Sequence, residues 1–235
     1  MKNQITFLML FVSIISFSQE ITGDELLEKS IQFHDPNGNW NTFEAEFFVT
    51  METPKRSPRK SRIRINLPKE YFFVKAVRDT IVTEYAVHKN DCSFALNGNI
   101  NPSDENKKKF SLNCERANLY KNYYTYLYGL PMKLKDFGTI IHEKVERKTF
   151  KGKEYLVLKV TYNKEVGKDT WYFYFNPKTF AMEVYQFYKE EKNSGEYILL
   201  TGLEIINGII MPKTRAWYYN KNNGYLGTDV LSSKM

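Results

Sequence analysis

Cysteine and histidine are scarce in this chain, with two of the first and three of the second among 235 residues. His34, His88 and His142 form no H-x-x-x-H or H-E-x-x-H pair, and neither cysteine has a second ligand at metal spacing. A G-x-S-x-G nucleophile elbow is missing as well. Beyond residue 18 no apolar run is long enough to cross a membrane as a helix. Linkers, internal repeats and low-complexity tracts are lacking too, which favours one domain over 19–235. These absences leave no residue to assign as catalytic, as a metal ligand or as a cofactor anchor.

The one unbroken apolar run stands at the start. Met1-Lys2-Asn3-Gln4 is a short basic opening, and residues 5–17 are almost wholly apolar. Ser16-Phe17-Ser18 then puts small residues where a signal peptidase reads. This predicts a signal peptide over 1–18, and export to the periplasm. No cysteine lies near the expected cut, so no lipid anchor is predicted. The expected compartment is oxidising, and Cys92 and Cys114 are expected to pair, the alternative being two buried thiols. The formal net charge is +7. Behind a signal peptide, this balance favours anionic lipid or another acidic envelope partner over nucleic acid.

Aromatic residues are abundant, with 17 Tyr and 17 Phe, and they favour strands. Thr22-Gly23-Asp24-Glu25 reads as a capping box opening a helix, and Asp35-Pro36-Asn37-Gly38 ends it. The period then changes from helix to strand. Phe43, Ala45, Phe47, Val49 and Met51 alternate with Glu44, Glu46, Thr50 and Glu52. Further strands are predicted over 62–67, 71–77, 81–88 and 92–96. Ser103 caps a short charged helix, and a second helix is predicted over 114–130. Strands return over 145–150, 155–162, 170–175, 182–188, 197–205, 210–219 and 225–231. Asn207-Gly208 is a strong two-residue hairpin turn. So many antiparallel strands must curl. The expected fold is α+β, mainly β: an antiparallel, incompletely closed barrel of about 11–12 strands. An N-terminal helix and a central helical insert would cover its concave face.

This order of elements resembles the LolA/LolB-type fold of periplasmic lipoprotein carriers. The stretch Asp169-Thr170-Trp171-Tyr172-Phe173-Tyr174-Phe175-Asn176-Pro177-Lys178-Thr179 is similar to a strand-turn of those proteins, with Asn176 in place of Asp. His34-Asp35-Pro36-Asn37-Gly38-Asn39-Trp40 and Tyr126-Leu127-Tyr128-Gly129-Leu130-Pro131-Met132-Lys133 are similar to an uncharacterised family of exported proteins from Bacteroidetes-type bacteria. The carrier resemblance implies a half-barrel around an apolar cavity lidded by helices. It implies no particular gating residue here.

Candidates for the lining of such a cavity are Phe47, Val49, Ile63, Ile65, Phe73, Val87 and Phe94 on the first strands. Trp171 and Phe173 join them from the aromatic strand, and Tyr124, Leu127 and Met132 from the helical insert. Arg62 and Arg64, in the basic stretch after Lys55, are candidates for an anionic head group. The same stretch also reads as a solvated hairpin. Three functions follow, in order: a non-enzymatic binder of a lipid or acylated ligand, an envelope protein-interaction module with a filled core, and, last, a hydrolase around His34 and Asp35.

Overall fold

The computed structural model describes residues 20–189 and 194–234. The expected signal peptide lies outside the described residues. Twelve strands form one antiparallel sheet in the order β5-β4-β3-β2-β1-β12-β11-β10-β9-β8-β7-β6. They are β1 (Glu44–Thr53), β2 (Arg56–Asn66), β3 (Tyr71–Arg78), β4 (Ile81–His88), β5 (Asp91–Leu96), β6 (Thr139–Phe150), β7 (Lys153–Tyr162), β8 (Thr170–Phe175), β9 (Met182–Tyr188), β10 (Glu196–Ile206), β11 (Ile209–Tyr219) and β12 (Tyr225–Ser232). β5 and β6 are the two edges and do not pair with each other, so the barrel is not closed by hydrogen bonds. The chain between them carries α2 (Asp104–Phe110) and α3 (Cys114–Gly129), while α1 (Gly23–His34) precedes β1. No helix among the described residues is long and apolar enough to cross a membrane.

The alternation in the sequence becomes the two faces of this sheet. Phe47 pairs with Ile63, Ile63 with Val74, Val74 with Tyr85 and Tyr85 with Phe94, one inward row across five strands. Leu158, Phe173, Tyr185, Ile198 and Trp217 make a second row across β7 to β11. Both rows belong to one hydrophobic core. Asn207 and Gly208 turn β10 into β11 with φ of 45° and 80°, the left-handed pair that a tight hairpin needs.

α1 and α3 fill the concavity, while α2 buries none of its residues. Thr22 and Glu25 cap α1 reciprocally: the Glu25 amide donates to Thr22 Oγ1 at 3.3 Å and the Thr22 amide to Glu25 Oε2 at 2.9 Å. Leu26 and Leu27 then bury completely. Asn113 caps α3 by accepting from the Arg116 amide at 2.7 Å. A disulfide from Cys92 to Cys114, with Cα atoms 5.6 Å apart, ties the start of α3 to β5. Towards its other end the Tyr126 hydroxyl bonds to that of Tyr162 on β7. α3 thus reaches across the concave face, and Tyr124 and Tyr128 are almost wholly buried beneath it. Gly129 ends it against Trp40, whose ring a Cβ at 129 would strike.

Candidate functional site

The aromatic side chains expected to line a cavity mostly fill it. Phe47, Val49, Ile63, Ile65, Val87 and Phe173 are buried in the core from the sheet side. Tyr124, Leu127 and Met132 bury against them from the helical insert, and Phe94 and Trp171 pack at the margin. The Phe47 and Tyr128 rings lie 5.1 Å apart, and Phe72 stacks on Tyr124 at 6.1 Å. Phe73 departs from the expectation. It is half-buried on the convex face, opposite Arg64 and Ala86. Its neighbours Phe72 and Val74 take the inward positions. An unbroken Tyr-Phe-Phe-Val run has no alternation by which to choose its phase.

Open space remains at one end of the half-barrel. A cleft of about 700 Å³ lies between the β1–β2 hairpin, the end of β3, the side of α3 and the β11–β12 hairpin. Its polar wall is Lys55, Arg56, Arg59 and Arg78, and Tyr120, Tyr219 and Tyr225 supply aromatic surface. An adjoining slot of about 160 Å³ shares Met51, Thr53 and Leu226 with it, and runs beneath Tyr123 and Trp217 to Asp229.

The basic stretch splits between the two faces. Arg62 and Arg64 point outward from β2 and grip Glu46, Arg62 Nε at 2.8 Å from Oε1. They therefore lie on the far side of the sheet from the cleft. Arg59 is in phase with the buried Ser61, Ile63 and Ile65 and points inward. It donates to the hydroxyls of Tyr120 at 3.4 Å and Tyr124 at 3.2 Å. Arg78 is its neighbour across the β2–β3 pairing, since Lys60 opposes Val77. The signal for Arg59 was present in the alternation that placed Ile63 and Ile65. Arg78 and the β11–β12 residues become neighbours of Arg59 only through the sheet order.

Below the slot lies a buried polar group. Asp229 faces Arg215 across the β11–β12 pairing and accepts from the Tyr123 hydroxyl at 3.2 Å. Burial pushes the Asp229 carboxyl up, and Arg215 and Arg59 oppose that shift. Arg215 itself is enclosed, 3.9 Å from the Tyr128 ring centre, and donates to the Pro212 carbonyl at 2.8 Å.

His34 and Asp35 are occupied elsewhere. His34 Nδ1 lies 2.6 Å from the Ile210 carbonyl, and Nε2 accepts from the Met182 amide at 2.9 Å. Burial holds its pKa down at about 4. Asp35 accepts from the amides of Asn39 and Trp40 at 2.7 and 2.9 Å. Among the described residues no group of three His, Cys, Asp or Glu side chains is placed to hold a metal ion.

Residues 2–233 match the model of a family of unknown function, DUF6503, and the chain belongs to that family. No curated protein matches it. Among solved structures, a LolA superfamily protein from Nitrosomonas europaea superposes with a TM-score of 0.51 at 11% identity, covering 90% of this chain and 92% of that one. A putative outer membrane lipoprotein-sorting protein domain from Vibrio parahaemolyticus gives 0.49 at 10% identity, covering 89% and 91%. A DUF1329 family protein from Desulfovibrio piger gives 0.49 at 8%, covering 90% and 92%. The first of these superpositions makes the fold LolA-like.

Proposed function

We propose that this is an exported, non-enzymatic protein that binds an amphiphile at the open end of its half-barrel. The apolar part enters the slot between Met51, Tyr123, Trp217 and Leu226, and the polar end stays in the wider cleft. The observation that carries this reading is the cleft itself, which joins an apolar slot to a cationic wall in a LolA-like fold. The apolar start of the sequence and the disulfide support export to an oxidising compartment. Phe47, Ile63 and Val87 are the floor that a larger cargo would reach if α3 withdrew.

A second reading has its own observation. α3 already fills the concave face, and the convex face carries a separate cluster of Tyr155, Val157, Tyr174 and Val184, with Tyr172 and Leu199 packed against it. Leu203 and Ile205 are exposed on the same side of β10 as Leu199. The cluster itself is buried, and the exposed Leu203 and Ile205 beside it offer the apolar contact for an envelope protein partner. Mass spectrometry of the protein purified gently from its native host separates the two readings. The expected result is a stoichiometric amphiphile, lost on organic extraction. A clean unliganded mass, with no uptake from an envelope lipid extract, would favour the interaction module.

A further inference from the structure

Arg59 and Arg78 stand side by side on the inward face of β2 and β3, and like charges placed directly opposite destabilise an antiparallel pair. Lys55 and Arg56 add two more cations to the same wall, and among the described residues no carboxylate lines the cleft, Glu196 and Asp229 lining the adjoining slot. Asp79 and Asp229 lie close enough to favour the charges of Arg78 and Arg59, but both also accept from other groups. Asp79 accepts from the Ser57 hydroxyl at 2.8 Å, and Asp229 from Tyr123. Arg59 Nε, Arg78 Nε and Thr53 Oγ1 are buried with no hydrogen-bond partner among the described residues. A buried donor left unpaired costs free energy, and native proteins keep few of them. Burial and the neighbouring Arg59 and Arg56 also press the Arg78 pKa down. The free protein thus bears a cost that a bound anion would relieve.

We propose that this wall is a binding site for a phosphate-type oxyanion, and that the ligand's polar end is a phosphate ester. The inference rests on the amphiphile reading only for what carries the phosphate. Four cations exceed what one carboxylate neutralises, while a phosphate brings a second charge and oxygens for planar guanidinium forks. Tyr120 accepts from Arg59 and so keeps its own proton to donate.

Calorimetric titration of the whole protein with three probes tests this: dihexanoyl phosphatidic acid, dihexanoylglycerol and inorganic phosphate. Phosphatidic acid is expected to bind at least about tenfold tighter than dihexanoylglycerol. Arg78→Gln should abolish that preference, yet melt no lower than the parent without ligand, because it removes a repulsion. Arg56→Gln, at the exposed lip, should weaken it in the same direction. Lys60→Gln, on the convex face of the same strand, should leave it intact. Binding of inorganic phosphate alone, without either lipid, would uphold the anion site, make the source a soluble phosphate ester and overturn the amphiphile reading. Equal binding of the two lipids, or no response to Arg78→Gln and Arg56→Gln, would overturn the anion site and leave the amphiphile reading standing. No binding of any probe would overturn both.

Discussion

His34 is fully buried, with one ring nitrogen against the Ile210 carbonyl and the other accepting from the Met182 amide. Only the neutral ring satisfies both contacts, with the proton on Nδ1. Its pKa falls from 6.5 to about 4 on folding, so between those values the unfolded chain binds more protons than the native one. Stability from this residue is therefore complete above pH 6.5 and is lost as pH falls towards 4. The shift amounts to about 3 kcal/mol. Urea unfolding at about pH 7 and about pH 4.5 should show the loss, and His34→Gln should remove most of that slope. Asp229, pushed up by burial, acts in the opposite sense, so the difference between parent and variant isolates the histidine. An unchanged slope in the variant would mean that other groups set the acid limit. At this scale, legibility depended on phase. Ile63 stands between Arg62 and Arg64, and Phe47 follows Glu46, which marks their phase, whereas the Tyr71-Phe72-Phe73 run offers no polar position to mark the outer face. Arg62 and Arg64 were conspicuous as charges, but it is Arg59, in step with Ile63, that reaches the cleft.

Among the elements, α3 decides what the half-barrel can do. The Cys92–Cys114 bridge closes a separation of 22 residues and fixes the start of the helix to an edge strand. Replacing both cysteines by alanine should lower stability by about 3 kcal/mol, measured by chemical denaturation. A loss near zero would show that α3 docks as firmly through its tyrosines alone. The helix was readable over almost its full length, because Gly129 and Pro131 mark its end. β6 was not. It begins at Thr139, but its pairing with β7 shifts between Ile141 and Val145, and that irregularity breaks the alternation by which a strand is read. The capping box of α1 and the Asn207-Gly208 turn were legible because each rests on contacts a few residues apart. The cleft was not, because its walls come from opposite ends of the chain.

The whole molecule is a half-barrel already filled along most of its concave face, with open space at one end. The slot of about 160 Å³ is small beside the roughly 300–1,000 Å³ of pockets that enclose an entire small ligand. A short-chain amphiphile should therefore bind without disturbing α3, whereas a long diacyl lipid should displace it. Hydrogen exchange of the backbone amides of 114–129 tests this: protection should persist with the first ligand and fall with the second. Protection that survives both would confine the ligand to the open end. The sheet order has a separate consequence, for the order of assembly. β1 to β5 form one meander of sequential neighbours and β6 to β12 another, and the two halves meet where β1 pairs with β12. Every other strand pair joins neighbours in sequence and needs little loop closure, while this seam joins strands from opposite ends of the described chain. A polypeptide that emerges from its N-terminus holds β1 as an unpaired edge until β12 arrives, so the middle of the finished sheet is the last part that can form.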